Sequence, residues 1–175
     1  MKVKLNLGCG TDHMKGWLNV DYKDLPEVDK VMDLNKFPYD FKSNSVDYIY
    51  MDHVLAHLKY PNKTIKECHR ILKKGGILEI KVPHFSCHTA YLGELRPHIY
   101  SYNAFYRFSP KHPRSYYFDY HYSKVDIKFN FQKKPFFLFW INYLVEWIAN
   151  KKYYLYENTA LRVFPCTELI VKMKK

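Results

Sequence analysis

The amino terminus carries a short alternating segment that ends in glycines, and this feature limits the folds that the chain can adopt. Residues 2–7 place apolar side chains at every second position, and Gly8 and Gly10 follow directly. Such alternation predicts a buried β-strand, and glycine lets the following backbone approach a ligand without a side chain in the way. The pattern is typical of α/β proteins, which bind ligands at the carboxyl ends of their strands.

The rest of the chain combines short strand patterns with two helical ones. The clearest helix spans 62–76, with Lys73 and Lys74 in its last turn and Gly75 as a left-handed stop. A second helix, apolar nearly all round, covers 136–150; we expect it to pack on the sheet, with membrane-surface or partner docking as the alternative. Further strands are predicted over 17–21, 28–34, 46–52, 77–83, 125–131 and 167–173. Strands separated by crossovers predict an α/β fold with a largely parallel sheet.

Length and composition favour one domain over residues 1–175. A chain of 175 residues with 47% hydrophobic residues can bury a full core without disulfides or structural metals. Its four cysteines form no CxxC pair, which argues for reduced thiols and against a zinc ribbon or a redox motif. We find no apolar run near the roughly 18 residues of a membrane span and no signal peptide, and therefore predict a cytoplasmic protein.

Positive charge is concentrated in the second half of the chain. Lysine and arginine number 28 against 17 aspartate and glutamate, a formal net charge of +11, and most of the excess lies in 84–175. The segment 83–122 is rich in aromatic residues, histidine and proline, which indicates a binding insert, and its tyrosine-rich part, 98–122, indicates a substrate lid or a packed loop. Its basic residues include Arg96, Arg107, Lys111 and Arg114. Such a surface suits an anionic partner, a phosphorylated substrate or nucleic acid, although a merely solvated surface is the alternative.

The glycine loop is unlike that of a dinucleotide-binding fold. Asp21 stands at the end of the second strand, where an acid binds two ribose hydroxyls, and we expect it at a solvent-facing strand end. It follows Gly10 by only eleven residues, whereas NAD-binding folds need about 20. His13 stands where the third glycine of that fingerprint would be. The first helix must therefore be abbreviated, and NAD is disfavoured.

Several motifs in order resemble the small class I S-adenosylmethionine-dependent methyltransferases, in the subgroup with an abbreviated first helix. The matching segments are LNLGCG (5–10), GWLNVD (16–21), the stretch 33–58 and RILKKGGILEIKVPHF (70–85), with looser similarity over 96–105 and in the last strand. The resemblance implies a Rossmann-like, seven-stranded, mostly parallel sheet with helices on both faces and an antiparallel last strand. It also divides the domain into a cofactor-binding half (1–83), a substrate-side insert (84–124), and C-terminal strands and helix (125–175).

The same resemblance implies S-adenosylmethionine as cofactor and assigns its binding residues. The backbone of Gly8, Cys9 and Gly10 would hold the methionine part, Asp21 the ribose hydroxyls, and Tyr22 would lie beside the sugar or adenine. Asp33 and Leu34 would bind adenine, and Asp52 and His53 would border the sulfonium and the substrate opening. Ala56 replaces the family's glutamate, so a catalytically silent member that docks RNA or a protein partner through its basic half stays an alternative.

Histidines are the candidate catalytic bases. A hydroxyl acceptor needs a base whose pKa lies near the working pH, and His53, His84 and His98 are the candidates. The fourth strand is not followed by the Asn-Pro-Pro-Tyr-like motif of amine methyltransferases, which favours oxygen methylation. The aromatic, histidine-rich and basic insert favours an anionic small-molecule or glycan-type acceptor. His57 is predicted to be structural. A metal site at His84, Cys87 and His88 is disfavoured, because a fourth ligand is missing.

Overall fold

The computed structural model describes residues 2–95, 97–135 and 140–175. Its seven strands are β1 (Lys4–Leu7), β2 (Leu18–Asp21), β3 (Lys30–Val31), β4 (Val46–Asp52), β5 (Leu72–Pro83), β6 (Lys124–Phe131) and β7 (Cys166–Lys174). Its α-helices are α1 (Pro61–Ile71), α2 (Asn103–Tyr106), α3 (Ile141–Lys151) and α4 (Tyr153–Asn158).

All seven strands form one sheet in the order β3-β2-β1-β4-β5-β7-β6. The five strands from β3 to β5 run parallel, and β7 is antiparallel to both of its neighbours. The predicted α/β fold with an antiparallel last strand is confirmed. Strand order reverses between β1 and β4, so a crevice opens there at the carboxyl edge of the sheet, where α/β proteins bind ligands.

The centre of the sheet is the core of the molecule. Leu5, Ile49 and Ile80, on the neighbouring strands β1, β4 and β5, are fully buried. Burying a side chain of this size stabilises a fold by about 1.5–3 kcal/mol. The strand ends that face the crevice therefore extend directly from the buried core of the sheet.

The connection between β1 and β2 differs from the prediction of an abbreviated helix, because its described residues form turns only. Two buried amides stabilise these turns. Asn6 Nδ2 donates to the carbonyl of Asp12 at 2.8 Å and to Asn19 Oδ1 at 3.1 Å, and Asn19 Oδ1 also accepts from the Met14 amide at 2.9 Å. Side-chain hydrogen bonds thus satisfy backbone groups that a helix would otherwise pair.

Helix α1 ends at Ile71, four residues before the predicted stop at Gly75, and Lys73 and Lys74 lie in β5 instead. The backbone becomes extended at Leu72, which pairs with Val46 in the sheet. Gly75 does adopt a left-handed conformation (φ +82°), but within β5. The carbonyls at the end of α1 are capped by Lys175, whose Nζ donates to the His69 and Leu72 oxygens at 2.6 and 2.7 Å. A long-range lysine therefore replaces the predicted local ones.

Helix α3 covers the predicted helix from Ile141 onward and packs through one face only. Asn142, Val145 and Ala149 are buried, whereas Trp140 and Trp147 beside them are 59% and 62% exposed. Residues 136–139 of the predicted helix, like Arg96 of the insert, lie outside the described residues. Within the described ranges, no helix is long and apolar enough to cross a membrane.

Candidate functional site

A cleft of about 690 Å³ lies at the carboxyl ends of β1, β2 and β4. Its lining includes seven of the nine residues predicted to bind the cofactor, namely Gly8, Asp21, Tyr22, Asp33, Leu34, Asp52 and His53. Cys9 and Gly10 follow Gly8 in the same loop but do not line the cleft. Parallel strands end at the same edge of a sheet, which explains why residues far apart in sequence meet here.

The glycine loop is packed so closely that Gly8 admits no side chain. Its φ is +70°, and a Cβ there would lie 2.5 Å from Cγ2 and 2.6 Å from Cγ1 of Val54. The Gly8 amide donates to the Val20 carbonyl at 2.7 Å, which fixes the loop on β2. Cys9 is buried, and burial, followed by the nearby Asp21 carboxylate, raises the pKa of its thiol. The loop therefore presents backbone, and no reactive thiolate, to the cleft.

Asp21 is more enclosed than a solvent-facing strand end, which corrects the expectation from sequence. Asp21 is only 6% exposed, and both of its carboxylate oxygens accept backbone hydrogen bonds. Gly10 N donates to Oδ2 at 2.9 Å and Lys23 N to Oδ1 at 3.1 Å. A carboxylate has about four acceptor sites, so capacity for ligand hydroxyls is left. Asp21 thus fixes the glycine loop as well as lining the cleft.

The third strand end supplies a polar and an apolar wall. Asp33 Oδ1 accepts the Asn35 amide at 2.9 Å, which holds the turn, and the adjacent Leu34 is buried. The Leu34 carbonyl accepts the Tyr39 hydroxyl at 2.9 Å. Tyr22, which also lines the cleft, is 66% exposed. The Asp33 turn is therefore held by hydrogen bonds, whereas the Tyr22 ring is largely open to solvent.

His53 follows β4 in a left-handed backbone conformation (φ +58°), which is unusual for a residue with a side chain. Its amide donates to the Lys81 carbonyl at 2.9 Å. Its ring lies between two carboxylates, with Nδ1 2.6 Å from Asp52 Oδ1 and Nε2 3.7 Å from Glu168 Oε2. Strained conformations of this kind cluster at functional sites.

Asp52 is kept ionised by its neighbours. Burial alone would raise the pKa of Asp52, but hydrogen bonds from Tyr50, His53 and Lys81 outweigh it and lower that pKa to about 2. The Tyr50 hydroxyl and the Lys81 ammonium donate to Oδ2 at 2.6 and 3.0 Å. Oδ1 is thus left for His53, and the negative charge holds the imidazole in one orientation.

The structure does not bring the other two candidate bases to the cleft. His84 is fully buried, with Nδ1 2.8 Å from Ser86 Oγ and Nε2 3.2 Å from Glu157 Oε1. Burial and the engagement of both ring nitrogens argue against His84 as the base that takes a proton from an acceptor in the cleft. His98 lines a separate cavity.

The residues considered for a metal site are also separated from one another. The His84 nitrogens are engaged as described, and Cys87 Sγ lies 3.1 Å from Thr89 Oγ1. In the described part of the chain, the group of potential ligands whose donor atoms lie within 4.8 Å of one another is Asp52, His53 and Glu168. In this group, the Asp52 carboxylate already accepts a hydrogen bond from the Lys81 ammonium.

Sequence reasoning predicted a substrate-side insert but did not identify which of its residues line the cleft. Glu94 and Leu95, in a short 3-10 turn, are among the lining residues. His57, predicted to be structural, also lines it, and its Nδ1 contacts the Leu95 carbonyl. The predicted lid character of the insert was the one available signal, because a segment without periodicity does not reveal which of its residues turn inward.

Comparison with known proteins agrees with this architecture. Residues 5–80 match a family model described as a methyltransferase domain. A SAM-dependent methyltransferase from Archaeoglobus fulgidus superposes with a TM-score of 0.63 at 14% identity, over 99% of this chain and 86% of that one. One from Mesorhizobium loti gives 0.58 at 12% identity, over 99% and 90%. The [4+2]-cyclase SpnF gives 0.54 at 18%, over 99% and 74%.

These similarities confirm the predicted fold and the resemblance to class I S-adenosylmethionine-dependent methyltransferases. Among curated protein sequences, none matches this chain. The similarity to a cyclase illustrates that one fold supports different reactions, so function has to be argued from the site.

Proposed function

We propose that this chain, which has the fold of the class I methyltransferases, binds S-adenosylmethionine in the cleft and transfers its methyl group to a hydroxyl of a small-molecule or glycan-type acceptor. The observation that carries the proposal is that Asp21, Asp33 and His53, each at the end of a different strand, line one cleft of about 690 Å³. That volume falls within the roughly 300–1,000 Å³ of small-molecule sites.

The residues present fit such a cofactor. The backbone at Gly8 is bare, because Val54 occupies the space that a Cβ would need. Asp21 keeps acceptor capacity for two ribose hydroxyls, and Asp33 offers a carboxylate to an adenine amine. Leu34 and Leu58 supply apolar walls for a ring. These groups would hold the cofactor, which supplies an electrophilic methyl group when bound.

The contribution of the chain to catalysis is to position the acceptor and to take up its proton. The hydrogen bond with ionised Asp52 favours the tautomer in which His53 Nδ1 carries the proton, so Nε2 is free to accept one. The proton of the acceptor hydroxyl would move to His53 Nε2 as the hydroxyl oxygen takes up the methyl group. Glu168, 3.7 Å from Nε2, stabilises the imidazolium that results.

The cofactor assignment is tested by melting the protein with and without S-adenosylhomocysteine, with NAD as the matched control. At 100 times its dissociation constant a ligand adds about 2.7 kcal/mol, which raises the melting temperature of a domain of this size by roughly 5–10 °C. We expect the rise with S-adenosylhomocysteine alone. A rise with NAD instead, or none with millimolar S-adenosylhomocysteine, contradicts the proposal.

Substituting His53→Asn is expected to lower turnover by about 10²–10⁴-fold while changing the affinity for S-adenosylhomocysteine little. Asparagine tolerates the left-handed backbone at this position but cannot act as a base at neutral pH. Turnover is measured as S-adenosylhomocysteine release with an acceptor found by screening, and His88→Asn, at an exposed histidine outside the cleft, is the control. Equal losses of turnover and affinity would make His53 a binding residue rather than a base.

The alternative is a cofactor-binding but catalytically silent protein that docks RNA or a protein partner through its basic half. Ala56, which replaces the family's glutamate, is 1% exposed and offers no polar group. Nucleic-acid binding that falls steeply with salt, together with an S-adenosylhomocysteine shift but no turnover for any acceptor, would favour this function.

A further inference from the structure

A second cavity, of about 540 Å³, lies beside the cleft and has a basic lining. We call it the basic pocket and define it by Lys59, Lys63, His98 and Arg107, with Asn62 at its wall. No carboxylate occurs among the described residues that line it. A cavity that gathers cations without acids carries a positive potential, which low-dielectric walls concentrate.

Arg107 is a half-buried cation whose partners are all neutral. Its Nε donates to the Ala104 carbonyl at 3.0 Å and its Nη2 to Asn62 Oδ1 at 2.8 Å, and the guanidinium lies 5.2 Å from the Phe108 ring centroid. In the described ranges, no acidic side chain forms an ion pair with it. Burial lowers the pKa of Arg107, the cost of desolvating a charge that lacks an anion. Three of its five N–H donors are left for a ligand.

A further unsatisfied polar atom lies in the same pocket. Nε2 of His98 is buried and has no hydrogen-bond partner in the part of the chain that the structure describes. Buried polar atoms without a partner are rare in native proteins and call for an explanation such as a missing ligand or water. Because His98 lines the basic pocket, a ligand there can satisfy it.

Helix α1 adds the positive end of its dipole to the pocket. The helix begins at Pro61, and its N-cap residue, Tyr60, makes no side-chain capping hydrogen bond. Lys59 and Lys63 lie on either side, with their Nζ atoms 5.3 and 4.8 Å from the Tyr60 ring centroid. Free amides and lysines at a helix start favour anions, and phosphate above all.

The basic pocket adjoins the proposed methyl-transfer cleft. Leu58 lines the cleft and Lys59, the next residue, lines the pocket. The Tyr100 hydroxyl, from the pocket, donates to the carbonyl of Leu55, three residues before Leu58, at 3.2 Å. An acceptor with its anionic end at Arg107 would thus extend from the pocket toward the neighbouring cleft.

We propose that the basic pocket binds the phosphate group of the acceptor, so that the acceptor is a phosphorylated small molecule; this rests on the proposed function. The pocket offers a guanidinium, two lysines, an imidazole and a helix N-terminus. A single carboxylate would neutralise only part of that positive charge, whereas a phosphate group brings a charge of about −1.5 to −2 and three strong acceptor oxygens. Arginine, in addition, binds phosphate in a bidentate manner.

The pocket is tested by calorimetric titration of the full chain with inorganic phosphate and pyrophosphate at constant ionic strength. We expect wild-type protein to bind at least one of them, and Arg107→Met to weaken binding at least about tenfold. Methionine keeps an unbranched apolar side chain at this position and removes the charge and the N–H donors. The double variant Lys59→Gln/Lys63→Gln, at exposed positions, is expected to weaken binding without affecting folding. Arg162→Met, at an exposed arginine outside the pocket, is the control.

Every variant is also titrated with S-adenosylhomocysteine, so that failure of the phosphate-pocket proposal can be distinguished from failure of the cofactor proposal. Loss of phosphate affinity with unchanged S-adenosylhomocysteine affinity supports the pocket. Phosphate affinity that is equal in all variants, or absent from wild type at millimolar concentrations, overturns it while the proposed function stands. Phosphate binding without S-adenosylhomocysteine binding overturns the proposed function but leaves an anion site. Binding of single-stranded RNA, but of neither phosphate probe, overturns the pocket in favour of nucleic acid.

Discussion

Replacing Asp21 with alanine is expected to weaken S-adenosylhomocysteine binding by at least about a hundredfold and to lower the melting temperature as well. Two hydrogen bonds from ligand hydroxyls to a carboxylate contribute about 1.5–3 kcal/mol each, which accounts for the affinity. The stability loss has a separate cause. Without Asp21, the Gly10 and Lys23 amides lose their acceptor, and an unsatisfied amide that is partly shielded from water costs about 1 kcal/mol or more.

Calorimetric titration and thermal melting of the same samples measure the two effects. Asp24→Ala, at an exposed aspartate close by in the sequence, is the control and should change neither. Asp21→Asn keeps one acceptor oxygen but no charge, so its affinity should lie between those of the wild type and Asp21→Ala. An Asp21→Ala variant that binds S-adenosylhomocysteine as tightly as wild type would refute the ribose assignment.

Replacing Gly8 with alanine is expected to abolish detectable S-adenosylhomocysteine binding and to destabilise the fold by about 2–5 kcal/mol. The left-handed backbone costs an alanine about 1–2 kcal/mol, and overpacking against Val54 adds about 1–3 kcal/mol. Relief of that contact would move the glycine loop away from the cleft. Urea unfolding measures the stability, and titration with S-adenosylhomocysteine measures the binding.

Gly10→Ala is the matched control, since Gly10 is also left-handed (φ +51°) but a Cβ there would meet nothing within 4 Å. It should show the conformational cost alone. Adding Val54→Ala to Gly8→Ala removes both clashing methyl groups and should recover part of the stability. If Gly10→Ala were as destabilising as Gly8→Ala, contact with Val54 would not be the reason that position 8 requires glycine.

The sheet and the strand-end residues that line the cleft were predictable because both follow from local patterns. Strand β4 has the predicted bounds, 46–52, since its alternation is bounded by turn residues on one side and a polar strand end on the other. Asp21 and Asp33 were identifiable for the same reason, because a polar residue that ends a parallel strand lies at the ligand edge whatever the loops do.

The remaining features depend on contacts between distant parts of the chain. His84 looks like any polar residue at a strand end, yet Glu157, on helix α4, covers it and removes it from the cleft. The end of α1 is likewise set by Lys175, 103 residues after Leu72 in the sequence. Neither contact has a local signal, so neither the enclosure of His84 nor the end of α1 could be predicted in the way that the strand ends could.

The exposed face of α3 determines what tryptophan emission can report. Of the three tryptophans, Trp140 and Trp147 are largely exposed, whereas Trp17 packs edge-on against Tyr48 with ring centroids 5.4 Å apart. None of the three lines the cleft. The native spectrum should therefore already be red-shifted and should respond weakly to a cleft ligand. A blue shift would signal instead that something has covered α3, so emission colour distinguishes docking at that helix from binding in the cleft.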